Sequence, residues 1–518
     1  MIEGRAITPT PVSAARPCAA RAARALQALS ALLLAAATLA ACRAATTGPA
    51  PAAGPPLLSL GTAVGEVTAS SAVVWGRCDR PGTFHTRIIP SERSQDTAAL
   101  AEHDNTAHIV FDKLRAATAY TYRAWCSADG INADGAVTSR AGSFHTAPAA
   151  DTPAAARIVW GGDLGGQNVC RDAQLGYPIF ASLAARKPDL FVALGDMIYA
   201  DDACEALGRY GNAQVAGPPP AVDQAGFWAH WRYNRTDPGQ QALLDTVPMV
   251  AVWDDHEIAN DAGPHDDSPP FAHGAHLLPP ALHAFLDYQP MAPPPDDPTR
   301  LYRSLRWGKL VELFILDTRQ FRDANDAPDS DAAPKTMLGT AQHAWLEQAL
   351  VQSDATWKVI VASVPLSIPT GKATARDGFA SGGGATGFAR EAQSIFALLR
   401  AHDIRNSVWI TTDVHFATGF VYRPAVDDPS FVSRELITGP LNAGIFPVEA
   451  FDPLFHPERL FYYAPPTADS VTSYDQALDW FNYGLLEVFP NGRLSVGIFN
   501  GRGQTVYRTT LQPDPPQS

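Results

Sequence analysis

Leu190-Phe-Val-Ala-Leu-Gly-Asp196 is a run of five apolar residues that ends directly in a glycine and a carboxylate. A short, continuously apolar run is typical of a strand that is buried on both faces of a sheet. Four other apolar runs between residues 157 and 415 end in a motif that carries Asp, in several cases with His, Glu or Arg. These endings are Gly161-Gly-Asp163, Asp254-Asp-His-Glu257, Asp317-Thr-Arg319 and Asp413-Val-His415.

Helical patterns lie between these runs, at residues 178–185, 340–352 and 389–402. Apolar strands that alternate with helices predict a layered α/β fold. Ligands of α/β sheets bind outside the carboxyl ends of the strands, so we expect the acidic and His side chains to share one edge. A single Gly-Asp after a strand is weak evidence because Asp is common in turns, whereas five such endings predict a functional site.

The combination of Asp, Asn and His side chains is typical of a dinuclear metal site. Such a site uses a carboxylate between two cations, a neutral imidazole on the more Lewis-acidic ion, and a hydroxide nucleophile. Arg319 adds a planar guanidinium that suits phosphate oxygens. These residues favour metal-assisted hydrolysis of a phosphate ester.

Four motifs carry a resemblance to a known family: Gly195-Asp-Met-Ile-Tyr199, Trp253-Asp-Asp-His-Glu-Ile-Ala-Asn260, Asp317-Thr-Arg-Gln-Phe-Arg322 and Asp413-Val-His415. In type, order and spacing they resemble the PhoD-type alkaline phosphatases of the calcineurin-like metallophosphoesterase superfamily. The resemblance runs from about residue 57 to 505, since that family also carries an N-terminal β-sandwich. It implies a four-layer αββα sandwich, hydrolysis of phosphomonoesters and phosphodiesters, and Fe³⁺ together with Ca²⁺ or, alternatively, Mn²⁺ or Zn²⁺.

The same resemblance implies a role for each matching residue. Asp196 would bridge the two metals, and Tyr199 would bind iron through its phenolate. His415 would bind the first metal, whereas Asn260 and Asp413 would bind the second.

Three further positions complete the predicted site. Arg319 would hold the phosphate, and His256 would either protonate the leaving oxygen or orient the neighbouring carboxylates. Asp163 is the expected first-metal ligand at the end of the first strand, where the family usually has Cys. Cys170 is the alternative, because a thiolate is a good donor to transition metals.

Residues 1–41 predict a signal peptide. Arg16, Arg21 and Arg24 precede an apolar run at 25–41 that is short for a membrane span. The run ends in Thr38-Leu-Ala-Ala-Cys42, which resembles a bacterial lipobox and predicts lipidation of Cys42. An ordinary signal followed by a chance Cys is the alternative. We therefore expect an exported lipoprotein of a bacterium, periplasmic or on the cell surface, with a tether at residues 42–56.

Two structured regions follow the tether. Residues 57–148 contain short strands separated by turns and predict a small all-β domain like those of immunoglobulin and fibronectin III. Residues 155–508 are the predicted PhoD-like metallophosphatase domain.

Four of the six Cys residues remain after Cys18 and Cys42 are set aside. An even number in an exported protein predicts disulfides. The expected pairs are Cys78 with Cys126, and Cys170 with Cys204.

The chain has 518 residues and a formal net charge of −14, so we expect no nucleic-acid-binding surface. Excess Asp suits hard metal ions. The expected protein is a monomer that acts on phosphate esters and meets the membrane through a lipid anchor alone.

Three alternative functions stay open. They are a phospholipase-type phosphodiesterase of the same fold, a non-catalytic calcium-binding surface lipoprotein, and a glycosidase with two carboxylates. A separate group of His residues, whose irregular spacing favours a surface loop over a metal site, comprises His265, His273, His276 and His283.

Overall fold

The computed structural model describes residues 56–128, 139–265, 274–424, 428–454 and 456–514. A nine-stranded sheet has the order β22-β21-β20-β8-β9-β10-β1-β2-β5. Its strands are β1 (Leu58–Gly65), β2 (Ala72–Cys78), β5 (Thr106–Phe111), β8 (Ala156–Gly161), β9 (Leu190–Leu194), β10 (Met249–Val252), β20 (Asn482–Val488), β21 (Leu494–Asn500) and β22 (Thr505–Leu511). The neighbours β8, β9 and β10 run parallel.

A seven-stranded sheet has the order β11-β12-β13-β16-β18-β17-β19. Its strands are β11 (Arg303–Trp307), β12 (Val311–Ile315), β13 (Trp357–Val361), β16 (Ser407–Thr411), β17 (Ala417–Tyr422), β18 (Ser433–Ile437) and β19 (Glu458–Tyr463). The four strands β12, β13, β16 and β18 run parallel. A two-stranded ribbon, β14 (Gly371–Lys372) with β15 (Ala375–Arg376), lies in the connection after β13.

The described helices are α1 (Ile179–Ala185), α2 (Gln224–Arg235), α3 (Pro238–Leu244), α4 (Gly274–Tyr288), α5 (Gly339–Gln352), α6 (Ala389–Ala401) and α7 (Tyr474–Ala477). Helices α1, α2 and α4 pack on the outer face of the nine-stranded sheet through side chains such as Phe180, Trp231 and Phe285. Helices α5 and α6 cover the outer face of the seven-stranded sheet, for example through Leu350 and Phe396.

Strand β9 shows how the sequence produces these layers. Alternate side chains of a strand point to opposite faces. Leu190, Val192 and Leu194 lie in the core between the two sheets, whereas Phe191 and Ala193 face the helices. The predicted α/β class is confirmed, and the layers follow the order helix, sheet, sheet, helix. The five apolar runs predicted as strands are β8, β9, β10, β12 and β16.

The N-terminal strands divide between two sheets. Strands β3 (Gly82–Ile89), β4 (Arg93–Ala99), β6 (Ala119–Ser127) and β7 (Arg140–His145) form a sheet of order β4-β3-β6-β7. This sheet shares a core with β1, β2 and β5, and β1 continues into the nine-stranded sheet through its parallel pairing with β10. The fibronectin III-like assignment and its boundary at residue 148 stay predictions.

Both expected disulfides are present. Cys78–Cys126 joins β2 to β6, and Cys170–Cys204 joins the connection after β8 to the connection after β9. The alternative role of Cys170 as a thiolate ligand is therefore wrong, because its Sγ is bonded to Cys204. The signal peptide and Cys42 lie outside the described residues, among which no helix is both long and apolar enough to cross a bilayer.

Candidate metal centre

The strand ends carry their polar residues on unusual backbone. Asp163, Asp196, Asp413 and His415 all have positive φ, between 51° and 77°. Residues other than glycine rarely adopt this left-handed region, and each such residue costs on the order of 1–3 kcal/mol. These four positions follow β8, β9 and β16, where the strands end.

The predicted ligands of the first metal lie together. Asp163, Asp196 and His415 each offer a ligand atom, and these three atoms lie within 4.8 Å of one another. The Tyr199 hydroxyl lies 3.0 Å from His415 Nε2. The turns after β8, β9 and β16 thus bring residues of three separate sequence motifs to one point.

A second group shares Asp196 with the first. Asp196, Asp254, Asp255 and Asp413 offer carboxylate oxygens that also lie within 4.8 Å of one another. The sequence predicted Asp413 here but regarded Asp254 and Asp255 only as partners of His256. Asn260 is exposed, and its backbone N–H donates to Asp201 Oδ2 at 2.8 Å. The ligand role of its side-chain amide stays a prediction.

These groups contain polar atoms that the described protein leaves without a hydrogen bond. They are Asp163 Oδ1, Asp196 Oδ2, Asp254 Oδ2 and Asp413 Oδ2, all buried. An unpaired carboxylate oxygen in the interior is costly, and buried charges are ordinarily paired or bound to metals. Four such oxygens at adjoining positions fit cations, so the residues present suit a metal centre.

The pKa values of these carboxylates are raised because the groups are buried close to one another. Burial raises the pKa of Asp163 to about 7, despite a hydrogen bond from Thr412. Burial and then the neighbouring carboxylates raise the pKa of Asp196 and of Asp413 well above the usual range. A cation would remove the repulsion and keep these groups ionised.

His415 is held in the form that binds a metal. Burial lowers its pKa to about 3, so the imidazole is neutral. Its Nδ1 lies 2.5 Å from Gly444 O and donates to that carbonyl. The Nε2 lone pair therefore faces the cluster, an arrangement that is general among metal-binding His residues.

The absence of a side chain at Gly439 leaves the space that the Asp163 carboxylate occupies. Gly439, after β18, has φ +130°, and a Cβ at this position would lie 2.1 Å from Asp163 Oδ2. Any side chain at position 439 would therefore displace the carboxylate.

His256 is paired with a carboxylate that the sequence analysis missed. Its Nδ1 lies 2.7 Å from Asp201 Oδ1. Burial lowers the pKa of His256, but Asp201 and Asp255 outweigh burial and bring it to about 10. The side chain is 12% exposed. A cationic imidazole beside the cluster could supply a proton to a leaving group.

Glu257 fixes the geometry of two strand ends. Its carboxylate accepts hydrogen bonds from the backbone N–H groups of Asp196, Met197 and Asp254, at 2.7–2.9 Å. The turns after β9 and β10 are therefore held at a constant separation, which positions Asp196 against Asp254.

Arg319 is completely buried among carboxylates. Its Nε donates to Asp254 Oδ1 at 2.5 Å, and its two terminal nitrogens donate to Asp377. Asp377 lies just after β15, in a connection that has none of the strand-end motifs, and the sequence analysis missed it. The predicted phosphate-binding role of Arg319 stays a prediction.

Phe446 and Arg209 lie next to His415. Phe446 packs against His415 with ring centroids 5.1 Å apart. The exposed Arg209 lies over Phe446, 5.3 Å from its centroid. An exposed cation next to the ligand cluster could attract an anionic substrate.

The sequence also matches known proteins. A family model described as PhoD-like phosphatase matches residues 160–482. Alkaline phosphatase D of Bacillus subtilis (strain 168) is 26% identical over 260 residues, which cover 48% of this chain and 44% of that protein. The matched region thus spans less than half the length of this curated relative.

Two solved structures share the fold. A structure of PhoD superposes with a TM-score of 0.70 at 19% identity, over 89% of this chain and 94% of that one. Purple acid phosphatase PPD1 from yellow lupin (Lupinus luteus) seeds has a TM-score of 0.58 at 13% identity, over 87% and 73% of the two chains.

Proposed function

The chain belongs to the PhoD-like phosphatase family, and on that premise we propose that it is a metal-dependent phosphoesterase with a two-metal centre. The observation that carries the proposal is the position of Asp196. It is the one residue shared by the group of Asp163 and His415 and the group of Asp254, Asp255 and Asp413. A carboxylate common to two ligand groups is what a bridging ligand requires.

We assign Fe³⁺ to the group that contains Tyr199. Asp163, Asp196, Tyr199 and His415 would hold it, since a hard, strongly polarising ion suits carboxylate and phenolate donors. A divalent ion, Ca²⁺ in our proposal with Mn²⁺ or Zn²⁺ as alternatives, suits the second, oxygen-rich group. Its ligands would be Asp196, Asp254, Asp255, Asn260 and Asp413. When bound, the ions would supply Lewis-acid chemistry: they activate water and neutralise charge on the phosphoryl oxygens.

Protein side chains would supply the proton, stabilise the developing charge and attract the substrate. His256 would give its Nε2 proton to the leaving oxygen, while Asp201 holds Nδ1 and orients the ring. Arg319 would stabilise negative charge at the phosphoryl group, directly or through the carboxylates that it contacts. Arg209 would attract the phosphate ester at the mouth.

The location and substrates are also proposals. The two disulfides are typical of an oxidising compartment, which supports export. We propose a periplasmic or cell-surface lipoprotein, anchored through Cys42, that acts as a monomer on phosphate monoesters and diesters. A phospholipase-type phosphodiesterase would share the same centre and differ in the substrate mouth.

One experiment tests the activity. Purified protein is assayed with a chromogenic phosphate monoester, a phosphodiester and a phospholipid, before and after chelation and after metal is restored. Asp196→Asn is compared with Asp189→Asn, because Asp189 directly precedes the same strand β9 at its opposite end. We expect chelation and Asp196→Asn to abolish hydrolysis and Asp189→Asn to retain it.

Hydrolysis that survives both chelation and Asp196→Asn would overturn the metal-dependent mechanism. Intact metal binding with no hydrolysis of any of the three esters would instead favour the non-catalytic calcium-binding lipoprotein.

A further inference from the structure

Another cluster of His and Asp side chains, of the types that bind metals, lies on the outer face of the nine-stranded sheet. It comprises His103, at the end of the short 3₁₀ turn Ala101–His103, and His283 and Asp287 of helix α4. These residues are separate from the strand-end cluster, which comprises Asp163, Asp196, Asp254, Asp255, Asp413 and His415. We propose that His103, His283 and Asp287 bind one Zn²⁺ ion.

The distances among the three ligand atoms suit such an ion. His103 Nδ1 lies 2.8 Å from Asp287 Oδ1 and 3.2 Å from His283 Nε2. The third distance, between His283 Nε2 and Asp287 Oδ1, is 3.7 Å. Zinc–nitrogen and zinc–oxygen bonds of about 2.0–2.1 Å in a tetrahedron place neighbouring ligand atoms about 3.3 Å apart. The three atoms therefore form one face of a zinc tetrahedron without movement of the backbone.

The chemistry of the donor set also selects a transition metal. Two imidazole nitrogens and one carboxylate oxygen suit zinc, whereas Ca²⁺ and Mg²⁺ prefer oxygen alone. Asp287 is buried, and buried charges are ordinarily paired or bound to metal ions.

Helix α2 supplies residues that orient the ligands. Trp228 Nε1 donates to Asp287 Oδ2 at 2.7 Å, so Oδ1 is left for the ion. The side-chain amide of Gln224 lies 2.8 Å from His283 Nδ1. The atom at this distance is the amide nitrogen, which donates to Nδ1. When an ion binds at Nε2, this amide would turn by 180° so that its oxygen accepts from Nδ1–H. Partners of this kind are general features of protein zinc sites.

The site is open on one side. The side chains of His103 and His283 are 44% and 41% exposed, whereas that of Asp287 is 5% exposed. An ion can therefore enter from solvent and keep a water molecule as its fourth ligand. The ion would link the 3₁₀ turn before β5 to helix α4, and so join the N-terminal strands to the helical layer.

Spacing alone did not indicate this site. The sequence analysis expected His283 in a surface loop, but the structure places it in a helix, four residues before Asp287. Its other partner, His103, is 180 residues away in the chain.

The test measures how many zinc ions each full-length protein chain binds. Wild type, His283→Gln, His103→Asn and the control His276→Gln are equilibrated with the same free Zn²⁺, and bound zinc per chain is measured by elemental analysis. His276 is an exposed residue of the same helix outside the cluster. We expect the first two variants to bind one zinc ion fewer than wild type and His276→Gln. We also expect Trp228→Phe to weaken zinc binding by about tenfold.

Co²⁺ provides an independent readout, because tetrahedral cobalt absorbs in the visible range. A cobalt band that His283→Gln and His103→Asn both lose, with phosphoesterase turnover unchanged, would support the site. Equal zinc content in all four proteins would overturn it and leave the cluster as an ordinary hydrogen-bond network. Neither variant alters the strand-end ligands, so the result is independent of the proposed phosphoesterase function.

Discussion

Arg319 and Asp377 form a two-point ion pair in the protein interior. Arg319 Nη1 lies 2.8 Å from Asp377 Oδ1, and Nη2 lies 2.7 Å from Oδ2. Neither side chain is more than 1% exposed. Asp377 thus accepts from the two terminal nitrogens of Arg319 that would otherwise donate to two phosphate oxygens. Arg319 balances the charge of Asp254 and Asp377 in this state, and a direct phosphate contact would require it to leave Asp377.

The variant Arg319→Ala is predicted to lose both activity and stability. Loss of one pre-organised charge stabiliser lowers turnover by about two to three orders of magnitude. Asp254 loses its cation at the same time, and Asp377 keeps Arg322 as an ion-pair partner. This lowers the free energy of unfolding by about 3–5 kcal/mol. Metal content should hold, since removal of a positive charge beside Asp254 does not weaken cation binding. Steady-state kinetics, denaturant unfolding and metal analysis measure the three quantities.

Arg319→Lys is the matched control. It keeps the charge but not the planar two-point geometry, so more stability than activity should be retained. A folded Arg319→Ala protein with wild-type turnover would remove Arg319 from the mechanism.

His256→Asn should affect substrates according to their leaving group. If His256 protonates the leaving oxygen, an alkyl phosphate loses about two orders of magnitude or more in turnover. A p-nitrophenyl ester, whose leaving group needs no proton, should lose far less. Asp201→Asn is expected to show the same pattern in weaker form, because it loosens the contact with Nδ1. An equal loss on both substrates would assign His256 a structural role.

The strand-end part of the site could be predicted because it depends on local pattern. A fully buried strand must be continuously apolar, so Leu190–Leu194 is visible in the sequence, and the first polar residues after it lie at the site. Asp163, Asp196 and His415 were predicted in this way, and the structure brings them together.

The rest of the site depends on long-range contacts that leave no local pattern. Asp377 lies in an irregular connection, and its partner Arg319 is 58 residues away. The pairing of Gly65 with Met249, which joins β1 to the large sheet, likewise spans most of the first half of the chain. Asp201 follows Tyr199 closely, but nothing in the sequence shows that it faces His256 rather than solvent.

Cys42→Ala is predicted to release the protein from membranes. A lipid anchor needs the Cys thiol as its attachment atom, and without it the described part of the chain offers no spanning helix. Fractionation of cells that express wild type, Cys42→Ala and the control Cys18→Ala measures the effect. Cys42→Ala protein that remains in the membrane fraction would contradict the lipobox assignment.

The last prediction concerns the first metal. Tyr199 is 3% exposed, and its hydroxyl reaches His415 Nε2 in the turn that also presents Asp196. A free phenol ionises near pH 10, so only a strongly polarising cation turns it into a phenolate ligand near neutral pH. Fe³⁺ does so far better than Ca²⁺, Mn²⁺ or Zn²⁺, and an iron phenolate absorbs visible light.

We therefore expect the purified, metal-loaded protein to be coloured and Tyr199→Phe to lose the colour while it keeps its fold. Tyr177→Phe is the control, because Tyr177 is equally buried but donates to Asn234. Visible absorption and metal analysis are measured on all three proteins. An active preparation without iron, or an unchanged spectrum in Tyr199→Phe, would place Tyr199 outside the metal's ligands and make it a packing partner of His415 and His256.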